Sequence, residues 1–181
     1  PVDQAAVERI VAAGLRAPSA GYSQGQSFVV VTEPERRRRI AELAGEADYV
    51  AAGFDPWISR APVHIAVCVS ERLYRDRYDE PDKNPEGAEQ DWPVPYWWVD
   101  AGASMMLLLL AVVDEGLAAG FLGSHAMPEL EAALELPGDV RAIGVITIGH
   151  PADDRRSGSL ARGARPGSDT VHHEAWSPAA E

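Results

Sequence analysis

Ala17-Pro18-Ser19-Ala20-Gly21-Tyr22-Ser23-Gln24, running through Gly25-Gln26-Ser27 into Phe28-Val29-Val30-Val31-Thr32, is the stretch that decides the fold. Pro18 stops a helix, because the residue before a proline avoids helical backbone. A short polar turn of small residues follows, and then a buried strand over Ser27–Thr32. Such a turn can set backbone N–H groups and small hydroxyls against a flat, polar-edged ligand.

Upstream, Asp3 can cap a helix on which Val7, Ile10, Val11, Gly14 and Leu15 recur at helical spacing. Downstream, Pro34 opens a second helix that ends near Gly45. Its run Arg36-Arg37-Arg38-Arg39 reads as a solvated face. Ala61–Ser70 is a strand of nearly continuous apolarity, which predicts burial on both sides. His64 within it reads as structural.

Glu71–Pro95 is polar, rich in proline, acid and tyrosine, and too long for an ordinary connection. It reads as a lid or substrate loop over 71–95. The aromatic cluster Tyr96-Trp97-Trp98 opens a central helix running to about Glu115. That helix is apolar all round, so one side is expected to face a partner subunit. Its block Ala101–Val113 is shorter than a bilayer span requires and is expected to be a buried helix. A short strand and a glycine turn at Leu122-Gly123-Ser124 come next. A short helix follows over Pro128–Leu136, then a buried strand over Val140–Gly149. Residues 152–181 read as an extended C-terminal segment, basic through Arg165.

The chain of 181 residues is expected to form a single domain. At 46% hydrophobic and 24% charged it has the composition of a globular protein. A net charge of −12 opposes binding to nucleic acid or an anionic membrane. The one cysteine, Cys68, excludes an internal disulfide, fits a cytoplasmic location and sits in an apolar run as a core residue. No signal peptide is evident, and the opening at Pro1 without methionine suggests that residues precede it.

There is no glycine-lysine phosphate loop, nucleophile elbow or paired metal-ligand motif. His172-His173 lacks a partner cluster, so no metal site is expected. Glu129, Glu131 and Glu135 read as a helix surface, and no protein nucleophile or acid–base pair stands out as catalytic. What remains is three donor-rich pieces: the Pro18–Gln24 turn, the Leu122–Ser124 turn and the basic run Arg155–Arg165. A flavin needs such an environment, with arginine for its phosphate and backbone donors near N5 and the carbonyl edges. The order of helices and strands predicts α+β or α/β layers.

The turn at Ala17–Gln24 before Phe28–Val31 resembles the flavin-binding turn of the nitroreductase family. Asp100-Ala101-Gly102-Ala103-Ser104 through Leu107-Leu108-Leu109 to Glu115-Gly116-Leu117 and Phe121-Leu122-Gly123 resembles that family's central helix and following strand. Ile146-Thr147-Ile148-Gly149-His150-Pro151 is similar to its last core strand, and Arg165-Pro166, Val171-His172 and Trp176 to its C-terminal segment. The chain departs from the pattern at Tyr22, where an asparagine is common, and at Gly25-Gln26, where proline-tryptophan is usual.

The resemblance implies an α+β fold, a three-layer α/β/α sandwich around a central, mainly antiparallel sheet. It implies a homodimer with FMN sites built from both chains. Pro18, Ser19, Ala20, Tyr22 and Gln24 would then bind FMN from one subunit. Leu122, Gly123 and Ser124 would lie beside the ring near N5, and Arg165 with Arg162 would meet the phosphate. Trp97 and Trp98 would wall the substrate pocket. The activity implied is FMN-dependent reduction of small aromatic acceptors, nitroaromatics or quinones, by NADH or NADPH in two hydride steps. A flavin- or small-molecule-binding protein of the same fold without turnover is the alternative.

Overall fold

Strand β2 (Val63–Ser70) is buried along its whole length, and the fold is layered around it. The structure, a computed structural model, describes residues 1–88, 90–153 and 157–176. They form two compact units, Pro1–Pro151 and Ala152–Glu181, taken separately below.

In the first unit, β1 (Gln26–Val31), β2, β3 (Ala118–Gly123) and β4 (Val140–Gly149) form one sheet in the order β1-β2-β4-β3. Every neighbouring pair is antiparallel. Because side chains alternate across a strand, β2 splits its apolar residues between two cores. Val63, Ile65 and Val67 face helices α1 (Gln4–Gly14) and α6 (Tyr96–Asp114), where Ile10, Leu108 and Val112 cover them. Ala66 and Cys68 face α2 (Pro34–Leu43), α4 (Trp57–Arg60) and α7 (Leu130–Ala133), where Ile40, Ile58 and Leu130 close the other side. The result is the expected α/β/α sandwich.

Asp3 caps α1 by accepting a hydrogen bond from the Ala5 N–H at 3.2 Å. His64 lies in the second core, with Nε2 2.9 Å from the Ile58 carbonyl oxygen. A carbonyl only accepts, so Nε2 carries the proton. Burial pushes the imidazole below its ordinary pKa.

Four sequence expectations change. The arginine run is not uniformly a solvated face: Arg37 turns back to donate to the Ala61 and Ser59 carbonyls at 2.7 and 3.2 Å, fastening α2 to the α4 end. Two short helices, α3 (Glu46–Ala51) and α4, fill what had no assignment. Glu71–Pro95 does not begin as a loop, because α5 (Glu71–Tyr78) occupies its first third, capped by the Ser70 hydroxyl. Finally, the central helix keeps its expected bounds but is buried only in part, and its 19 residues are long and apolar enough by those measures alone to cross a membrane. One face of it packs on α1 and the sheet, while Val99, Met106, Leu110 and Val113 stand exposed along another.

The second unit carries two short 3-10 turns, Gly158–Arg162 and Gly167–Asp169, and a stacked pair, His172 on Trp176, with ring centroids 4.2 Å apart. Arg155 lies outside the described residues.

Candidate active site

The register of the sheet puts two of the three donor-rich pieces at one end of it. β1 starts at Gln26 opposite Val69, near the end of β2. β3 finishes at Gly123 opposite Gly144, which itself lies opposite Val67. The Pro18–Gln24 turn and the Leu122–Ser124 turn therefore leave the sheet at the same end. They leave from its two edges, three strand spacings or about 14 Å apart. Within one chain the two turns therefore stand apart rather than closing onto each other.

The Pro18–Gln24 turn is held in an uncommon backbone. Gly21, Tyr22 and Gln24 have φ of 60°, 60° and 52°. Left-handed backbone is routine for glycine and costly for tyrosine or glutamine, and such outliers cluster at functional sites. Inner bonds fix it: Gln24 N–H donates to Ser19 Oγ at 2.9 Å, and Ser23 Oγ to the Ala20 carbonyl at 2.6 Å. Pro18, Tyr22 and Gln24 point outward, with Tyr22 74% exposed, while Ser19 and Ala20 are half-buried. The exposed Tyr22 ring and Gln24 amide are the groups a ligand would meet first.

At the other edge, Leu122 is buried and Gly123 and Ser124 are partly open. A Cβ on Gly123 would sit 2.6 Å from His125 Nδ1, so this turn presents bare backbone. The β2–β4 ladder shifts register between Val67 and Cys68, directly beneath it, and bulges of this kind re-aim strands beside active sites. Bare backbone here and small hydroxyls with an amide at the other turn are each the kind of surface that a planar, polar-edged ligand such as a flavin needs, but on this chain they stand on opposite edges of the sheet. Among the described residues, no group of three or more His, Cys, Asp or Glu side chains is placed to hold a metal.

Trp97 and Trp98 part company. Trp97 is buried in an aromatic cluster, its ring centroid 5.4 Å from Trp92 and 6.3 Å from Tyr74, with the Arg75 guanidinium 5.6 Å away over its face. A cavity of about 600 Å³ lies against it, lined by Arg75, Gln90, Asp91, Trp92, Pro95 and Trp97. Trp98, one residue on and so about 100° round the helix, is exposed and lines none of it. In the second unit, Arg162 ends the first 3-10 turn as an exposed side chain, and Arg165 Nη2 donates to the Asp169 carbonyl at 2.7 Å.

Sequence reasoning missed the groups behind the first turn. Asp100, buried near the start of α6, accepts from the Ala20 N–H and from the Tyr74 hydroxyl, both at 2.8 Å. Burial, and then the Asp100 contact, raise the Tyr74 pKa, so its hydroxyl stays a donor. Arg77 Nε donates to the Gly21 carbonyl at 2.9 Å. The lone acid within an apolar helix start was the available signal for Asp100; nothing local marked Arg77.

Comparison with known proteins agrees with this architecture. The model of the nitroreductase family matches residues 1–150. The FMN reductase [NAD(P)H] of Bacillus subtilis is 32% identical over 180 residues, covering 96% of this chain and 66% of that protein. The NADPH-flavin oxidoreductase of Vibrio harveyi is 26% identical over 153 residues, covering 83% of this chain and 58% of its own length. Among solved structures, nitroreductase A from Vibrio parahaemolyticus superposes with a TM-score of 0.71 at 25% identity, over 98% of this chain and 69% of that one. The chain thus spans about two thirds or less of the length of the two sequence relatives.

Proposed function

This chain belongs to the nitroreductase family, and from that premise we propose that it is an FMN-dependent oxidoreductase. In this reading it uses NADH or NADPH to reduce small aromatic acceptors such as nitroaromatics or quinones. FMN, held by the residues of the two turns, would supply the hydride chemistry that links the nicotinamide to the acceptor. The observation that carries the reading is the pair of donor-rich turns at one end of the sheet, one left-handed and outward-facing, the other bare backbone.

The protein's own share of the work is binding and orientation. Ser19, Tyr22 and Gln24 offer hydroxyl and amide groups to the polar edge of the ring. Leu122 and Gly123 offer an apolar contact and a backbone edge beside N5. Trp97, with Trp92 and Arg75, forms the aromatic wall and cation of the acceptor pocket, a surface suited to planar electron-poor rings. The stretch after α5 supplies Gln90, Asp91, Trp92 and Pro95 to that pocket, in the role of a substrate loop.

A homodimer belongs to the same reading. The two turns stand on opposite edges of one sheet, and a second copy supplies the missing half of each site. The exposed stripe Val99, Met106, Leu110 and Val113 on α6 supports this seam. The buried free thiol of Cys68 is compatible with a cytoplasmic location, and the net charge of −12 argues against nucleic-acid or membrane partners.

The visible absorbance spectrum of the purified protein after incubation with FMN and gel filtration tests the cofactor. Flavin bands at one per subunit are expected, and their absence sinks the cofactor assignment. NADH and NADPH oxidation with a quinone then tests turnover. Stoichiometric flavin without nicotinamide oxidation would make the protein a flavin binder instead.

A further inference from the structure

We propose that α5 and Asp100 form a brace that fixes the Pro18–Gln24 turn in its ligand-ready backbone, with Asp100, Arg77 and Tyr74 as positioning residues. The proposal rests on the flavin reading for its purpose and on the hydrogen bonds alone for its geometry.

The turn is gripped from two sides by opposite charges. The buried Asp100 carboxylate takes the N–H of Ala20 at 2.8 Å. The Arg77 guanidinium takes the carbonyl of the next residue, Gly21, at 2.9 Å. Charge-assisted bonds are the strong kind, and this pair pins both flanks of one peptide unit. Neither partner swings freely. Asp100 is also held by the Tyr74 hydroxyl at 2.8 Å. Arg77 is clamped by both Asp82 oxygens at 2.8 Å and by Glu80 at 3.0 Å.

Aromatic rings of the same helix fill the space behind the turn. A Cβ on Gly21 would come within 2.6 Å of the Tyr78 ring, and one on Gly25 within 2.5 Å of the Tyr74 ring. The turn is thus seated against α5 as closely as bare backbone allows. Left-handed Tyr22 and Gln24 persist only where the surroundings over-determine them, and these contacts supply that determination. The segment after β2 therefore has two parts: a helix that buttresses the cofactor turn, and a loop whose acids Glu80 and Asp82 orient the arginine.

The test compares the full-length protein with Asp100→Asn, Arg77→Gln, Arg77→Lys and Tyr74→Phe. Arg72→Gln is the control, because Arg72 lies on the same helix but binds Asp139 and Asp76. FMN affinity is read by quenching of flavin fluorescence. Asp100→Asn and Arg77→Gln are expected to raise the FMN dissociation constant tenfold or more, Tyr74→Phe severalfold, and Arg72→Gln less than twofold. Arg77→Lys, which keeps one charged donor, is expected to recover part of the loss. Hydrogen exchange without flavin supplies the second readout: faster exchange at Ala20–Gln24 and unchanged exchange in β4. Unchanged exchange at the turn in both Asp100→Asn and Arg77→Gln overturns the brace whatever FMN does, as does an equal effect of Arg72→Gln. Faster exchange at the turn in a protein that binds no FMN upholds the brace and overturns only the flavin reading.

Discussion

Gly144 lies directly under the Leu122 carbonyl oxygen, where a Cβ has no room. The Phe121 ring stands on the same spot, with ring carbons 2.6 and 2.7 Å from that Cβ position. Gly144 is the point at which β4 lets the end of β3 come down onto the sheet, and Leu122 and Gly123 are what that end presents. Gly144→Ala must push β3 away. Overpacking of this kind costs about 1–3 kcal/mol, which lowers the melting temperature of a domain this size by roughly 2–4 °C per kcal/mol. The measurement is a thermal melt by circular dichroism beside an FMN titration. Both stability and FMN affinity are expected to fall, and a variant that melts and binds like the parent would refute the packing role.

Cys68 offers a cleaner test of the core. It is 1% exposed, and burial pushes its thiol up to about 12. The nucleophile is the thiolate, so both access and ionisation protect this group. Iodoacetamide at pH 8 is expected to leave the native protein unmodified over an hour and to label it fully in guanidinium. Intact mass spectrometry distinguishes the two, and rapid native labelling would place Cys68 in a mobile or open region.

The layers were legible in the sequence because their signals are local. Continuous apolarity in Val63–Val69 marked a strand buried on two faces, and the apolar run to Val113 marked the central helix. Asp3 and Pro34 punctuated the helices where capping chemistry places them. Of the candidate site, only the two turns were legible. What sets their conformation is long-range: Ala20 reaches Asp100 across 80 residues and Gly21 reaches Arg77 across 56. No periodicity encodes such pairs. Helix α5 was hidden for a related reason. Glu71-Arg72-Leu73-Tyr74-Arg75-Asp76-Arg77-Tyr78 carries so many charges that its single buried residue, Tyr74, leaves no stripe. It is stabilised by i,i+4 pairs such as Arg75–Glu71 and by the Ser70 cap.

His64 makes stability depend on pH with a definite sign. Burial lowers its pKa from the ordinary 6.5 in the folded chain; the hydrogen bond to the Ile58 carbonyl and the Glu46 charge oppose that shift only in part, and the Arg37 charge adds to it. Below pH 6.5 the unfolded chain therefore binds a proton that the folded chain refuses. Stability is complete above that pH and declines as pH falls toward the folded value, at up to about 1.4 kcal/mol per pH unit. Nδ1, which has no hydrogen-bond partner, is where that proton must go. His64→Gln keeps a donor for the Ile58 carbonyl and removes the titration. Urea midpoints at pH 7.5 and 5.5 are expected to differ less in the variant than in the parent, and equal differences would remove His64 from the acid response.

Leu110 stands 60% exposed at the centre of the stripe formed by Val99, Met106 and Val113, whose exposures run from 47% to 68%. Four apolar side chains in a row along one helix face is an uncommon surface for a monomer. Burial of the half that each still exposes against a second copy is worth about 1 kcal/mol, whereas a carboxylate there must either lose its water or hold the helices apart. Leu110→Glu is therefore expected to turn the proposed dimer into a monomer by light scattering at micromolar concentration. Val50→Glu, on the exposed side of α3, is expected to leave the mass unchanged. Since the Pro18–Gln24 and Leu122–Ser124 turns lie on opposite edges of one sheet, a monomer holding only half of the proposed site should also lose FMN while keeping its helical circular dichroism. A dimer that survives Leu110→Glu would move the seam away from α6, and a monomer that still binds FMN at full affinity would mean that one chain completes the site alone.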